Sequence, residues 1–90
     1  MIRRVLDDEA HRERARSAWL RALYAHVRAA ETHASAAALH KKTGHVERRQ
    51  AELHRLSAER DEFDAAVATH PEWADAVPAW PELETEAGDG

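Results

Sequence analysis

The chain has 90 residues, a formal net charge of −4 and no cysteine. That length holds one small domain, and without thiols neither a disulfide nor a thiolate metal site can brace it. No run approaches the ~20 apolar residues of a membrane span, and Met1 to Asp8 turns acidic before the apolar core of a leader could form; a cytoplasmic location is expected.

The first predicted element is a helix from about residue 8 to 42. Asp7 or Asp8 stands where an N-cap would, and Glu9 would complement the dipole of the first turn. From there to Lys42 the chain has neither Pro nor Gly and is rich in Ala, Arg, Leu and Glu, all good helix formers. Its apolar stripe is Leu20, Leu23, Val27, Ala30, Ala34 and Ala37, and His26, His33 and His40 follow one edge of it at intervals of seven. Lys41 and Lys42 favour the C-terminal dipole, and Gly44 can take the left-handed conformation that closes a helix.

A second helix is predicted over about 46–69, with the stripe Val46, Leu53, Leu56, Phe63 and Val67. Arg49 and Arg60 fall on that stripe and must snorkel or find carboxylates. So short a connection makes the helices antiparallel neighbours in an αα-hairpin. A turn centred near Thr43 sets Leu23 beside Phe63, Ala30 beside Leu56, Ala34 beside Leu53 and Leu20 beside Val67. The same register brings Arg28 near Glu59 and Arg21 near Asp64. It would account for much of the charge segregation, in which residues 1–60 hold all 13 Lys and Arg and 61–90 hold none.

Past Thr69 the composition changes. Thr69 and Glu72 fit a capping box, and Pro71 suits a first turn. A short helical or extended segment over 71–83 is expected to fold back, with Trp73, Val77 and Trp80 covering the overhanging start of the first helix near Ala15 and Trp19. Residues 1–83 then form the domain and 84–90 a flexible acidic tail.

Functional motifs are scarce. His26, His33 and His40 lie ~10 Å apart along the axis, whereas the ligands of one metal sit about 2 Å from it, so one helix cannot bring them to a shared ion. A site would need a second chain, or ligands such as His54 and Glu47 from the other helix. The Arg-rich start, with Arg3, Arg4, Arg12, Arg14, Arg16 and Arg21, is interleaved with acids and carries no nucleic-acid-binding motif. There is no phosphate loop, nucleophile elbow or zincin motif. In length and hairpin form the chain resembles the small WXG-type helical hairpins. Their Trp-x-Gly turn is replaced here by Lys42-Thr43-Gly44-His45, and no function is carried over.

Ala22, Ala29 and Ala36 extend the small-residue surface of the first helix beyond what one neighbour can cover. The fold class expected is therefore all-α: a long antiparallel hairpin whose C-terminal segment packs back, dimerising into a four-helix bundle. The expected interface residues are Trp19, Leu23, His26, Ala30, His33, Ala37, Leu53, Leu56, Phe63, Val67, Trp73 and Trp80. No catalytic residue, cofactor or metal ligand set is assigned. The expected partner is a second copy of the chain, or another protein, and neither a membrane nor nucleic acid. The function expected is that of a small non-enzymatic protein–protein interaction or regulatory module. The second reading is a His-lined metal-binding or pH-responsive bundle, since imidazole titrates near pH 6.5.

Overall fold

The structure, a computed structural model, describes residues 2–83, with side chains from Asp7 onward. The segment expected to be an acidic tail, 84–90, lies outside the described residues. Helix α1 spans Ile2–Thr43 and helix α2 Val46–Thr69, and a 3₁₀ turn over Pro71–Ala76 follows. The two long helices pack against each other, and no strand occurs among the described residues. No helix there is long and apolar enough to cross a membrane.

Helix α1 begins earlier than the caps suggested. Asp7 and Asp8 lie inside it rather than at its N-cap. Nothing between residues 2 and 8 interrupts a helix, since no Pro or Gly is present, and each residue added to an existing helix gains a hydrogen bond. A capping residue stops a helix only where the backbone turns away.

At the other end the backbone does turn. Gly44 has φ +76°, the left-handed conformation that costs an L-residue about 1–2 kcal/mol. The His45 N–H donates to the His40 carbonyl at 2.9 Å, and the Gly44 N–H to the Lys41 carbonyl at 3.3 Å. These are the two bonds of a Schellman motif, and they satisfy carbonyls the helix itself leaves open. The His40 and His45 rings, 5.7 Å apart, occupy the place where such motifs usually put an apolar contact.

The core runs along the seam between the helices and tapers. At the open end Trp19, Leu23 and Phe63 form a buried cluster. Toward the turn Ala30, Ala37 and Leu56 are buried. Small residues there let the helices approach closely. Leu53 and Val67 are half-buried at the seam. Val46, expected on the stripe, is 68% exposed. It sits at the first position of α2, where the chain has only just left the turn.

Helix α2 stops at Thr69 because Pro71 disfavours helical backbone at the residue before it; His70 has φ −138° and ψ 70°. The expected capping box does not form. The Thr69 hydroxyl donates back to the Ala66 carbonyl at 2.6 Å, while Glu72 pairs with His70 Nδ1 at 3.0 Å. After the 3₁₀ turn, Val77 is extended (φ −62°, ψ 125°), as Pro78 requires.

The segment folds back, but along α2 rather than over the start of α1. Trp73 meets Trp19 at 5.3 Å between ring centroids, and Trp80 reaches Phe63 at 5.0 Å. Ala15, expected beneath the tryptophans, is exposed, as are all residues from Asp7 to Arg14. The chain reverses at the 3₁₀ turn, so each later residue moves away from the N-terminal end of α1. The molecule is a rod of 64 × 18 × 14 Å with a radius of gyration of 17.7 Å, against about 12 Å for a compact domain of this length.

Candidate functional site

Helix α1 repeats one role every seven residues. Trp19, His26 and His33 each point a ring across the seam to α2, meeting Ala66, Glu59 and Glu52, and His40 meets His45 in the turn, so each partner lies seven positions earlier in the chain than the one before. Seven residues are close to two turns, so the four rings stay on one edge of α1. The antiparallel partner offers its own edge at the same interval.

The first rung is a helix cap supplied from another helix. Because His70 N–H bonds to the Val67 carbonyl, the Ala66 carbonyl is among those left open at the C-terminus of α2. Trp19 Nε1 donates to it at 2.8 Å, alongside the Thr69 hydroxyl. Around that bond His70 stacks on Trp73 at 4.1 Å and meets Trp19 edge-on at 5.8 Å.

The next two rungs pair imidazole with carboxylate. His26 Nδ1 lies 2.8 Å from Glu59 Oε1, and His33 Nδ1 lies 2.6 Å from Glu52 Oε2. All four side chains are partly shielded, the histidines 25% and 26% exposed, Glu59 17% and Glu52 16%. The rungs differ three residues further along α2. Beside Glu52, Arg55 Nη1 donates to Glu52 Oε1 at 3.1 Å. Beside Glu59 the same position is Glu62, whose Oε2 approaches His26 Nδ1 at 3.5 Å. One rung is thus an acid between two basic groups; the other is an imidazole between two acids.

The electrostatics of Glu52 follow from this. The hydrogen bond from His33 holds its carboxyl below the ordinary value of 4.5, with further help from the charges of His33, Arg55 and His40, while burial works in the opposite direction. Glu72 is likewise lowered, chiefly by its hydrogen bond with His70, at an exposed position. The fourth rung lacks a carboxylate: His40 faces His45, and His40 Nδ1 is buried without a hydrogen-bond partner.

The residues expected to form an interface are placed inside one chain. Trp19, Leu23, Ala30, Ala37, Leu56 and Phe63 are buried in the hairpin itself. Val67, Trp73 and Trp80 pack on the cluster at its open end. His26 and His33 meet α2 of the same chain, and Leu53 lies beside Ala34 and Ala37. The two long-range ion pairs read from the sequence are not those that form. Glu59 is held by His26 rather than Arg28, and Asp64 by Arg60 of its own helix at 3.2 Å. Two residues of helix turn a side chain by about 200°, so with His26 on the seam Arg28 is exposed on the far side. Arg60 also lies over the Trp80 ring, 5.0 Å from its centroid, which is how this cation on an apolar stripe is accommodated.

Among the described residues, the group with metal-ligand geometry is His26, Glu59 and Glu62, whose ligand atoms all lie within 4.8 Å of one another. It is not one built on His54 or Glu47, which are both exposed. Glu62 had no signal of its own in the sequence. The matching intervals of seven, 26 and 33 against 59 and 52, were legible there, and Glu62 follows as the residue one turn on from Glu59. No protein-family model, no curated protein and no solved structure matches the chain.

Proposed function

We propose that this chain is a small non-enzymatic interaction or regulatory module that works as a self-associating helical hairpin, two copies forming a four-helix bundle. The observation that supports this is the outward face of α1. Ala15, Ala18, Ala22, Ala25, Ala29, Thr32, Ala36 and Leu39 follow one another at alternating steps of three and four. Ala29 and Ala36 are half-buried and the others exposed. That alternation keeps a stripe on one side of a gently supercoiled helix, and alanine allows a close approach by a second helix. Leu39, 59% exposed, ends the stripe. The hairpin seam is already occupied, so a second copy would pack on the other side of α1, aligned with its length. A rod that buries so little of its own surface has the most to gain from such a contact.

The test is sedimentation equilibrium across a wide concentration range. The expected result is a dimer, and Ala22→Glu, at an exposed position that leaves the hairpin intact, is expected to yield a monomer. A compact monomer at high concentration would overturn the reading. The second reading, a His-lined metal-binding or pH-responsive bundle, is favoured by the meeting of His26, Glu59 and Glu62.

A further inference from the structure

We infer that His26, Glu59 and Glu62 form a binding site for one divalent transition-metal ion of the zinc class, clamped between the two helices of a single hairpin. The inference rests on the second reading above and is independent of self-association, because all three ligands come from one chain.

The donor set is one imidazole nitrogen and two carboxylate oxygens, a mixture that suits zinc and its neighbours rather than calcium or magnesium. The spacing suits such an ion. Zinc bonds to nitrogen and oxygen are about 2.0–2.2 Å long, which places tetrahedral ligand atoms roughly 3.2–3.6 Å apart. Here the His26 Nδ1 separations are 2.8 Å to Glu59 and 3.5 Å to Glu62. Moving the Glu59 carboxylate back by a few tenths of an ångström opens the centre. The helices supply the framework: Glu59 and Glu62 stand one turn apart on α2, and His26 faces them from α1. Glu62 is 62% exposed, so an ion has a route in and water can complete its coordination.

The neighbouring rung argues that this arrangement is particular to one place. His33 and Glu52 repeat the imidazole–carboxylate contact one heptad away, but Arg55 stands where Glu62 would be. A guanidinium has no lone pair to give a metal and already neutralises its carboxylate. The two rungs therefore form a site and its built-in control within the same hairpin.

The experiment is calorimetric titration of the full chain with Zn2+ alone, with melting curves recorded in its presence and absence. The expected result is uptake of one ion per chain and a higher melting temperature in zinc, since an ion held by both helices binds only the folded form. Glu62→Gln is expected to weaken uptake about tenfold or more, given that loss of even an outer-shell partner costs roughly 10–100-fold. Its position is exposed, so the variant keeps the fold. His26→Gln is expected to abolish uptake, and His33→Gln to leave it unchanged. Uptake that survives both His26→Gln and Glu62→Gln overturns this site while leaving metal binding in general standing. No uptake by the unmodified chain overturns both.

Discussion

The open end of the hairpin and its middle use the same heptad edge of α1 for opposite purposes. At the open end the edge residue is Trp19, packed in a cluster with Leu23, Phe63, Trp73 and Trp80. In the middle the edge residues are His26 and His33, facing carboxylates that remain partly wet. The difference shows where the stability of the rod resides. Apolar burial stabilises by about 25 cal/mol per Å², whereas partly exposed ion pairs contribute ~0.2–1 kcal/mol each. The aromatic end holds the hairpin closed; the histidine rungs set the register and leave chemistry available.

Breaking the aromatic end should give the largest effect. Phe63→Ala is expected to cost about 3–5 kcal/mol and Leu23→Ala about 2–5 kcal/mol, measured by urea unfolding. Losses below about 1 kcal/mol at both sites would mean that the cluster does not support the hairpin. Next in size is Trp19→Phe. It keeps a ring in the cluster but removes the donor that caps the Ala66 carbonyl, for an expected cost of about 1–2 kcal/mol. Amide exchange at the end of α2 should speed up in parallel.

The histidine rungs should yield smaller effects that depend on pH. The folded carboxyl of Glu52 lies below 4.5, so between that lower value and 4.5 the unfolded chain binds more protons than the folded one. Its contribution is therefore fully present above about 4.5 and is lost as the pH falls through the folded value. Glu52→Gln is expected to cost about 1 kcal/mol at pH 7 and to flatten the acid limb of the stability curve. An unchanged acid limb, followed by melting from pH 7 to 3, would show that the rung contributes nothing. The smallest effect on stability, within about 1 kcal/mol, is expected from Arg55→Glu at an exposed position. That change makes the second rung a copy of the first, and a zinc titration should then count two ions per chain instead of one.

Much of the fold was legible because it depends on local periodicity. The run without Pro or Gly, the stripes at spacings of three and four, and the single glycine at the turn determine two helices and a hairpin. The apolar pairing of Leu23 with Phe63 followed from the length of the turn. By contrast, the start of α1 was misplaced at Asp7 or Asp8, since a capping side chain is a preference that an uninterrupted backbone can ignore. The direction of the tryptophan segment was also hidden. It depends on the reversal at Pro71–Ala76, which sequence composition marks as a break but does not aim.

What the sequence by itself determined, then, is a helical hairpin with histidines and carboxylates set at matching intervals of seven. Only the tertiary structure decided which of them meet. His26 and Arg28 stand about 200° apart around α1, so which of them meets Glu59 depends on which face of the helix packing turns to the seam. The sign difference between Glu62 and Arg55 was present in the sequence throughout. It acquired meaning once the fold placed one imidazole nitrogen within 3.5 Å of two carboxylates, because coordination and ion pairing are short-range and act only between groups that packing has already brought together.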